Sequence, residues 1–148
     1  MNLKLSQAEQ EQYRRDGFIF PVRILDAAET ADHRGRLEEI ETKYGPMHYR
    51  HKPYLLMKSA AEIARNPSLL DAVEDLLGPD ILLWDGAYVI KEPRNTKYIS
   101  WHQDLTYWGL DGEELVTAWV ALSPSNPQSG CMKMLPGSHL EGEKPHYD

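Results

Sequence analysis

At Gly78-Pro79 the chain changes character, and that change limits its architecture more than any other feature. Upstream lie polar segments opened by cap residues and closed by glycine. Ser6 with Glu9, and Asp26 with Glu29, have the capping-box spacing, which predicts one helix stopping at Asp16-Gly17 and a longer one stopping near Gly45-Pro46. Between them "FIFPVRIL" reads as extended. Ser59 with Glu62 predicts a third helix start. Asn66-Pro67 predicts a fourth, in which Leu69, Leu70, Val73, Leu76 and Leu77 form one apolar stripe. Downstream, "ILLW", "AYVIK", "KYISWHQD", "LVTAWVALS" and "GCMKML" are short β-branched and aromatic segments separated by turn-rich stretches. Helices followed by strands predict an α+β fold, with the helices over one face of an antiparallel sheet that begins near Ile81.

The 148 residues suit one domain, mainly helical over 1–80 and mainly β over 81–148. With 23 acidic against 16 basic residues the net charge is -7, which argues against a phosphate-tracking surface, so nucleic acid is not an expected partner. A single cysteine, Cys131, rules out an internal disulfide framework. No apolar run approaches a membrane span or a signal-peptide core, and the terminal "HYD" matches no retention or lipidation motif. The expectation is a soluble, cytoplasmic protein with no membrane contact.

The chemistry concentrates in "ISWHQDLTYWG". In a strand, residues i and i+2 share a face, so His102 and Asp104 would stand side by side while Gln103 turns away. An imidazole and a carboxylate with positions left open are the ligand mix of the two-histidine, one-carboxylate triad that holds non-haem Fe(II). An H-x-D triplet arises by chance in roughly one chain of this length in six, so alone it leaves an exposed polar strand as an equal explanation. Gln103, Tyr107 and Trp108 flank the pair and could line a substrate mouth, with core packing as the alternative for the aromatics.

The wider pattern is more specific. "WHQDLTYW" followed by "LVTAWVALSPSNPQSGCMKMLPGSH" resembles the phytanoyl-CoA dioxygenase family, whose members are Fe(II)- and 2-oxoglutarate-dependent oxygenases on a double-stranded β-helix, or jelly-roll, cupin-like core. The resemblance implies that His102 and Asp104 are the first two iron ligands and the catalytic centre. It implies co-substrate contacts on the strands carrying Tyr88, Thr117 and Trp119. It implies a dioxygenase that takes molecular oxygen, oxidises 2-oxoglutarate to succinate and carbon dioxide, and hydroxylates an unactivated C–H bond of a small molecule. Halogenating relatives carry a small residue where Asp104 stands, so hydroxylation is the implied outcome.

The chain also departs from the family. The distal iron-binding histidine and the arginine that pairs with 2-oxoglutarate belong on later strands than the "LPGSH" turn. The expectation is therefore an incomplete jelly roll, open at its sheet edges and prone to self-association. An inactive fragment or a non-catalytic binding module is the alternative. A zinc hydrolase lacks the H-E-x-x-H pattern that would support it. His146, in "KPH", matches a family segment that is not the distal ligand. His139 is expected to be structural, and His33, His48 and His51, in the helical half, to be solvated or structural. Lys58 and Lys91 are expected at the surface. Met132 and Met134 alternate with Cys131 and Lys133, which predicts a strand with one buried face and Cys131 as a small buried hydrophobe.

Overall fold

The computed structural model describes residues 4–112 and 114–146; Glu113, inside the expected "GLDGEE" turn, lies outside them. Helix α1, Gln7–Asp16, opens with a complete Ser6/Glu9 capping box and closes on Gly17, which takes the left-handed φ of 84° that a side chain would resist. Helix α2, Ala27–Tyr44, opens with the Asp26/Glu29 box and ends at Gly45. Helix α4, Pro67–Leu77, starts at Asn66, whose side chain accepts the Leu69 N–H. These three follow from local chemistry.

Helix α3, Lys58–Ala64, corrects the third expectation. It begins two residues earlier than a Ser59 cap would allow, with Met57 in the cap position and no side-chain cap. Ser59 and Glu62 serve tertiary contacts instead. Buried Ser59 hydrogen-bonds the His33 imidazole at 2.8 Å, and Glu62 pairs with Arg36 at 2.7 Å, so both side chains tie α3 to α2. His33 is accordingly a buried structural residue. On α4 the expected stripe is only partly covered: Leu69, Val73 and Leu76 are half-buried, while Leu70 and Leu77 are exposed.

The core is Leu37, Met47, Met57 and Ala60, flanked by Ile40, Tyr54, Tyr88, Ile90 and Leu122. Leu5 closes a second contact, its N–H donating to Asp75 on α4 at 2.7 Å. The segment after α2 runs alongside residues 84–90. Its Tyr49 and Lys52 N–H groups donate to the Tyr88 and Gly86 carbonyls, both at 2.9 Å, and the Ile90 N–H donates to His48 Nδ1 at 2.9 Å. His51 reaches Asp85 at 2.6 Å and adds to the same seam.

The jelly-roll core is not there. Among the described residues there is no β-strand, only one isolated parallel bridge between His48 and Tyr88. The segments with strand composition are present but run unpaired, because β composition describes a residue that suits a half-buried pleated surface, and a strand exists only where a second strand completes its ladder. Their apolar side chains remain in solvent: Leu82 is 81% exposed, Tyr98 84% and Trp101 68%. Met132 and Met134 are both exposed and Cys131 only half-buried, so that segment has no buried face. No helix among the described residues is long and apolar enough to cross a membrane.

Candidate metal centre

His102 and Asp104 do come together, by a different route from the pleat. His102 sits in an irregular turn, and Asp104 has right-handed helical angles at the start of a single helical turn, α5, Leu105–Trp108. The carboxylate does not cap that turn. It faces back, so that Asp104 Oδ1 lies 3.2 Å from His102 Nε2, with the two side chains 35% and 33% exposed.

Each partner is held from behind. His102 Nδ1 lies 2.8 Å from the Ser100 carbonyl oxygen, which can only accept, so Nδ1 carries a hydrogen. In the neutral ring Nε2 then keeps its lone pair and aims it at a carboxylate oxygen. Two lone pairs facing at that distance repel unless a proton or a cation lies between them. The second oxygen of Asp104 accepts the Thr117 hydroxyl at 2.5 Å. Backing of an imidazole by a carbonyl, and of a carboxylate by a hydroxyl, is the outer-shell support that orients metal ligands.

The spacing also suits one ion. Two donors about 2.1 Å from a metal and at right angles to each other stand about 3 Å apart, close to what this pair shows. Among the described residues, however, no third His, Cys, Asp or Glu converges on the pair. His146 comes nearest in kind. Its Nε2 accepts the Gln103 N–H at 2.8 Å, and the Tyr107 ring makes T-shaped contacts with both imidazoles, 5.9 Å from His102 and 5.6 Å from His146.

The other expected site residues are scattered. Gln103 spends both ends of its side-chain amide on backbone, donating to the Gly142 carbonyl at 3.0 Å and accepting the Lys144 N–H at 2.7 Å. Tyr107 lies against His102, and Trp108 ends the same turn, half-buried. Thr117 serves Asp104, and Trp119 is exposed. Tyr88 turns into the core, where burial pushes its phenol pKa up while Ser59 and the Arg36 charge work the other way. Lys91 donates to the Gly130 carbonyl, and Lys58 is at the surface beside Glu62. His139 is structural: its Nε2 lies 3.1 Å from the Arg14 carbonyl at the end of α1.

Two neighbours of the pair escaped the sequence. Ser100 contributes through its main chain, which no residue type advertises. Tyr49, in the helical half, holds a left-handed φ of 53°, and its phenol pKa is raised first by partial desolvation and then by the negative charge of Asp104.

Comparison with known families matches residues 13–148 to Phytanoyl-CoA dioxygenase (PhyH). The chain belongs to the phytanoyl-CoA dioxygenase family. Among curated relatives, the peroxisomal phytanoyl-CoA dioxygenase of Mus musculus is 34% identical over 84 residues, 54% of this chain and 25% of the relative. The ectoine dioxygenase of Bordetella parapertussis is 25% identical over 97% of this chain and 54% of its own length. The L-proline trans-4-hydroxylase of Streptomyces griseoviridis is 23% identical over 88% of this chain and 54% of its own. The chain thus spans from a quarter to about half of the length of these relatives. No solved structure matches significantly. Dioxygenases and a hydroxylase recur among the relatives, and the chain is a member of that enzyme family.

Proposed function

We propose that this chain carries part of the active site of a ferrous-iron and 2-oxoglutarate dioxygenase that hydroxylates a C–H bond of a small molecule. The observation that carries the reading is His102 Nε2 standing 3.2 Å from Asp104 Oδ1 while its other ring nitrogen meets the Ser100 carbonyl, an arrangement a bound cation would satisfy. Family membership supports ferrous iron and 2-oxoglutarate as that cation and its co-substrate. Bound there, ferrous iron with 2-oxoglutarate and oxygen would supply the oxidising power, with the keto acid oxidised to succinate and carbon dioxide.

The chain's own residues hold and orient. The Ser100 carbonyl fixes the His102 tautomer with Nε2 free to ligate, and the Thr117 hydroxyl fixes one carboxylate oxygen of Asp104 so that the other turns to the metal. Trp108 and Trp119 are candidates for the walls that receive substrate and keto acid. Because Asp104 occupies the carboxylate position, the product is hydroxylated, and a chlorinated product from the complete enzyme would count against this reading.

A binding module without turnover is the second reading, and it rests on one observation: only two donors converge among the described residues. Anaerobic titration with Fe(II), then 2-oxoglutarate, separates the two. The visible charge-transfer band of a chelated keto acid is expected, and it should vanish in Asp104→Ala. Fe(II) binding that His102→Ala and Asp104→Ala leave unchanged would sink the dioxygenase assignment.

A further inference from the structure

We infer that Gln103 is a positioning residue, and that it acts by tying the His102–Asp104 turn to a strap formed by Gly142–His146. Gln103 lies between the two ligand positions, so anything that fixes its backbone fixes both neighbours. Three of its groups are fixed at once, all by the same short segment. The side-chain amide donates to the Gly142 carbonyl at 3.0 Å and accepts the Lys144 N–H at 2.7 Å, pairing with the strap as a strand's backbone would. The main-chain N–H donates to His146 Nε2 at 2.8 Å.

The strap makes two further contacts with the same turn. The Thr106 hydroxyl donates to Glu143 Oε1 at 3.1 Å, and the Tyr107 ring packs edge-on against His146. Since His146 Nε2 accepts, its remaining hydrogen is on Nδ1, which is buried and has no partner among the described residues. A buried donor left unsatisfied costs free energy, so the contact through Nε2 is kept against an opposing term. In a region with no paired strands, these side-chain bonds are what stands in for a sheet in holding the ligand turn still. The amide of Gln103 is therefore engaged by the chain itself.

Only an amide can do this. Glutamate keeps the acceptor for Lys144 but puts an oxygen against the Gly142 carbonyl, and methionine offers neither group. Lys144→Pro removes the donated N–H from the other side and leaves Gln103 intact. The test uses the full 148-residue chain as wild type, Gln103→Glu, Gln103→Met and Lys144→Pro, with circular dichroism confirming the helices. Imidazole 15N resonances report the His102 tautomer without metal, hydrogen exchange reports the strap, and Co(II) alone is the metal probe.

All three variants should speed exchange in residues 142–146 and move His102 away from the Nδ1–H tautomer. Co(II) affinity should fall roughly tenfold, the usual size of an outer-shell loss. The metal arm alone rests on the proposed function. If wild type binds no Co(II) yet the His102 resonances shift in the variants, the metal reading fails and the positioning role stands. If the strap loosens while the His102 resonances stay those of wild type, the positioning role is overturned, whatever the metal does.

Discussion

Residues 4–78 and 79–146 differ in what holds them. Every buried residue among those described lies between Leu5 and Ala72, in the half built from capped helices. The other half carries the candidate chemistry and buries nothing completely; it is attached by a few seams. One runs from Met47 to Tyr54 along residues 84–90, and another joins the Gly137 N–H and His139 to the end of α1. Stability and chemistry are therefore stored in different places. Substitutions should separate them: core changes cost folding free energy, and changes around His102 cost geometry.

The largest effect should come from Leu37→Ala. Leu37 is in the middle of the α2–α3 core, and truncating a buried leucine costs about 2–4 kcal/mol, enough to melt a layer this thin. The matching change in the other half, Trp101→Ala, removes a larger side chain yet should alter stability by no more than about 0.5 kcal/mol, because that indole is mostly in solvent already. Urea unfolding of the two variants checks the contrast. A Trp101 variant as damaged as the Leu37 variant would show that the second half has a core of its own.

Next in size is Gly17→Ala, at the seam between the halves. Gly17 has φ +84°, and a Cβ there would lie 2.5 Å from His139 Nδ1. Left-handed backbone alone costs an alanine about 1–2 kcal/mol, and displacing the imidazole adds to it. In a His139→Ala background only the backbone part should remain. A double-mutant cycle in thermal unfolding reads the difference as coupling, and strict additivity would mean that the imidazole does not press on α1.

What the sequence made legible follows the same divide. The caps at Ser6, Asp26 and Asn66 were readable because a cap is a bargain among four neighbouring residues. Ser59 and Glu62 have the same spacing and no cap forms, since His33 and Arg36 offer those side chains better partners from another helix. Strand composition was readable and strands were not, because the partner that makes a ladder is remote in sequence. His102 and Asp104 were legible as a pair although a turn, not a pleat, joins them. Thr117 behind Asp104, and Gly142 and Lys144 behind Gln103, were not, since nothing in a residue's identity says which distant group it will meet.

The smallest effect should be an acid-dependent one confined to the helical half. The Arg36 guanidinium, hydrogen-bonded to Glu62 at 2.7 Å, holds that carboxyl below its ordinary value of 4.5, against a modest opposing push from burial. A carboxyl depressed on folding stabilises the fold wherever the unfolded chain would be ionised as well, and that contribution is lost as pH falls through the ordinary value and then the lower folded one. Both side chains are partly in solvent, so screening keeps the effect small. The midpoint of thermal unfolding should therefore drop between about pH 6 and about pH 3, and Glu62→Gln should flatten part of that drop at low ionic strength. The coordination of Co(II), if it depends only on the other half, should show no trace of this substitution. A Glu62→Gln variant that weakened the metal would mean that the helical layer reaches the ligand turn through the Tyr88 seam, and the two halves would have to be treated as one mechanical unit.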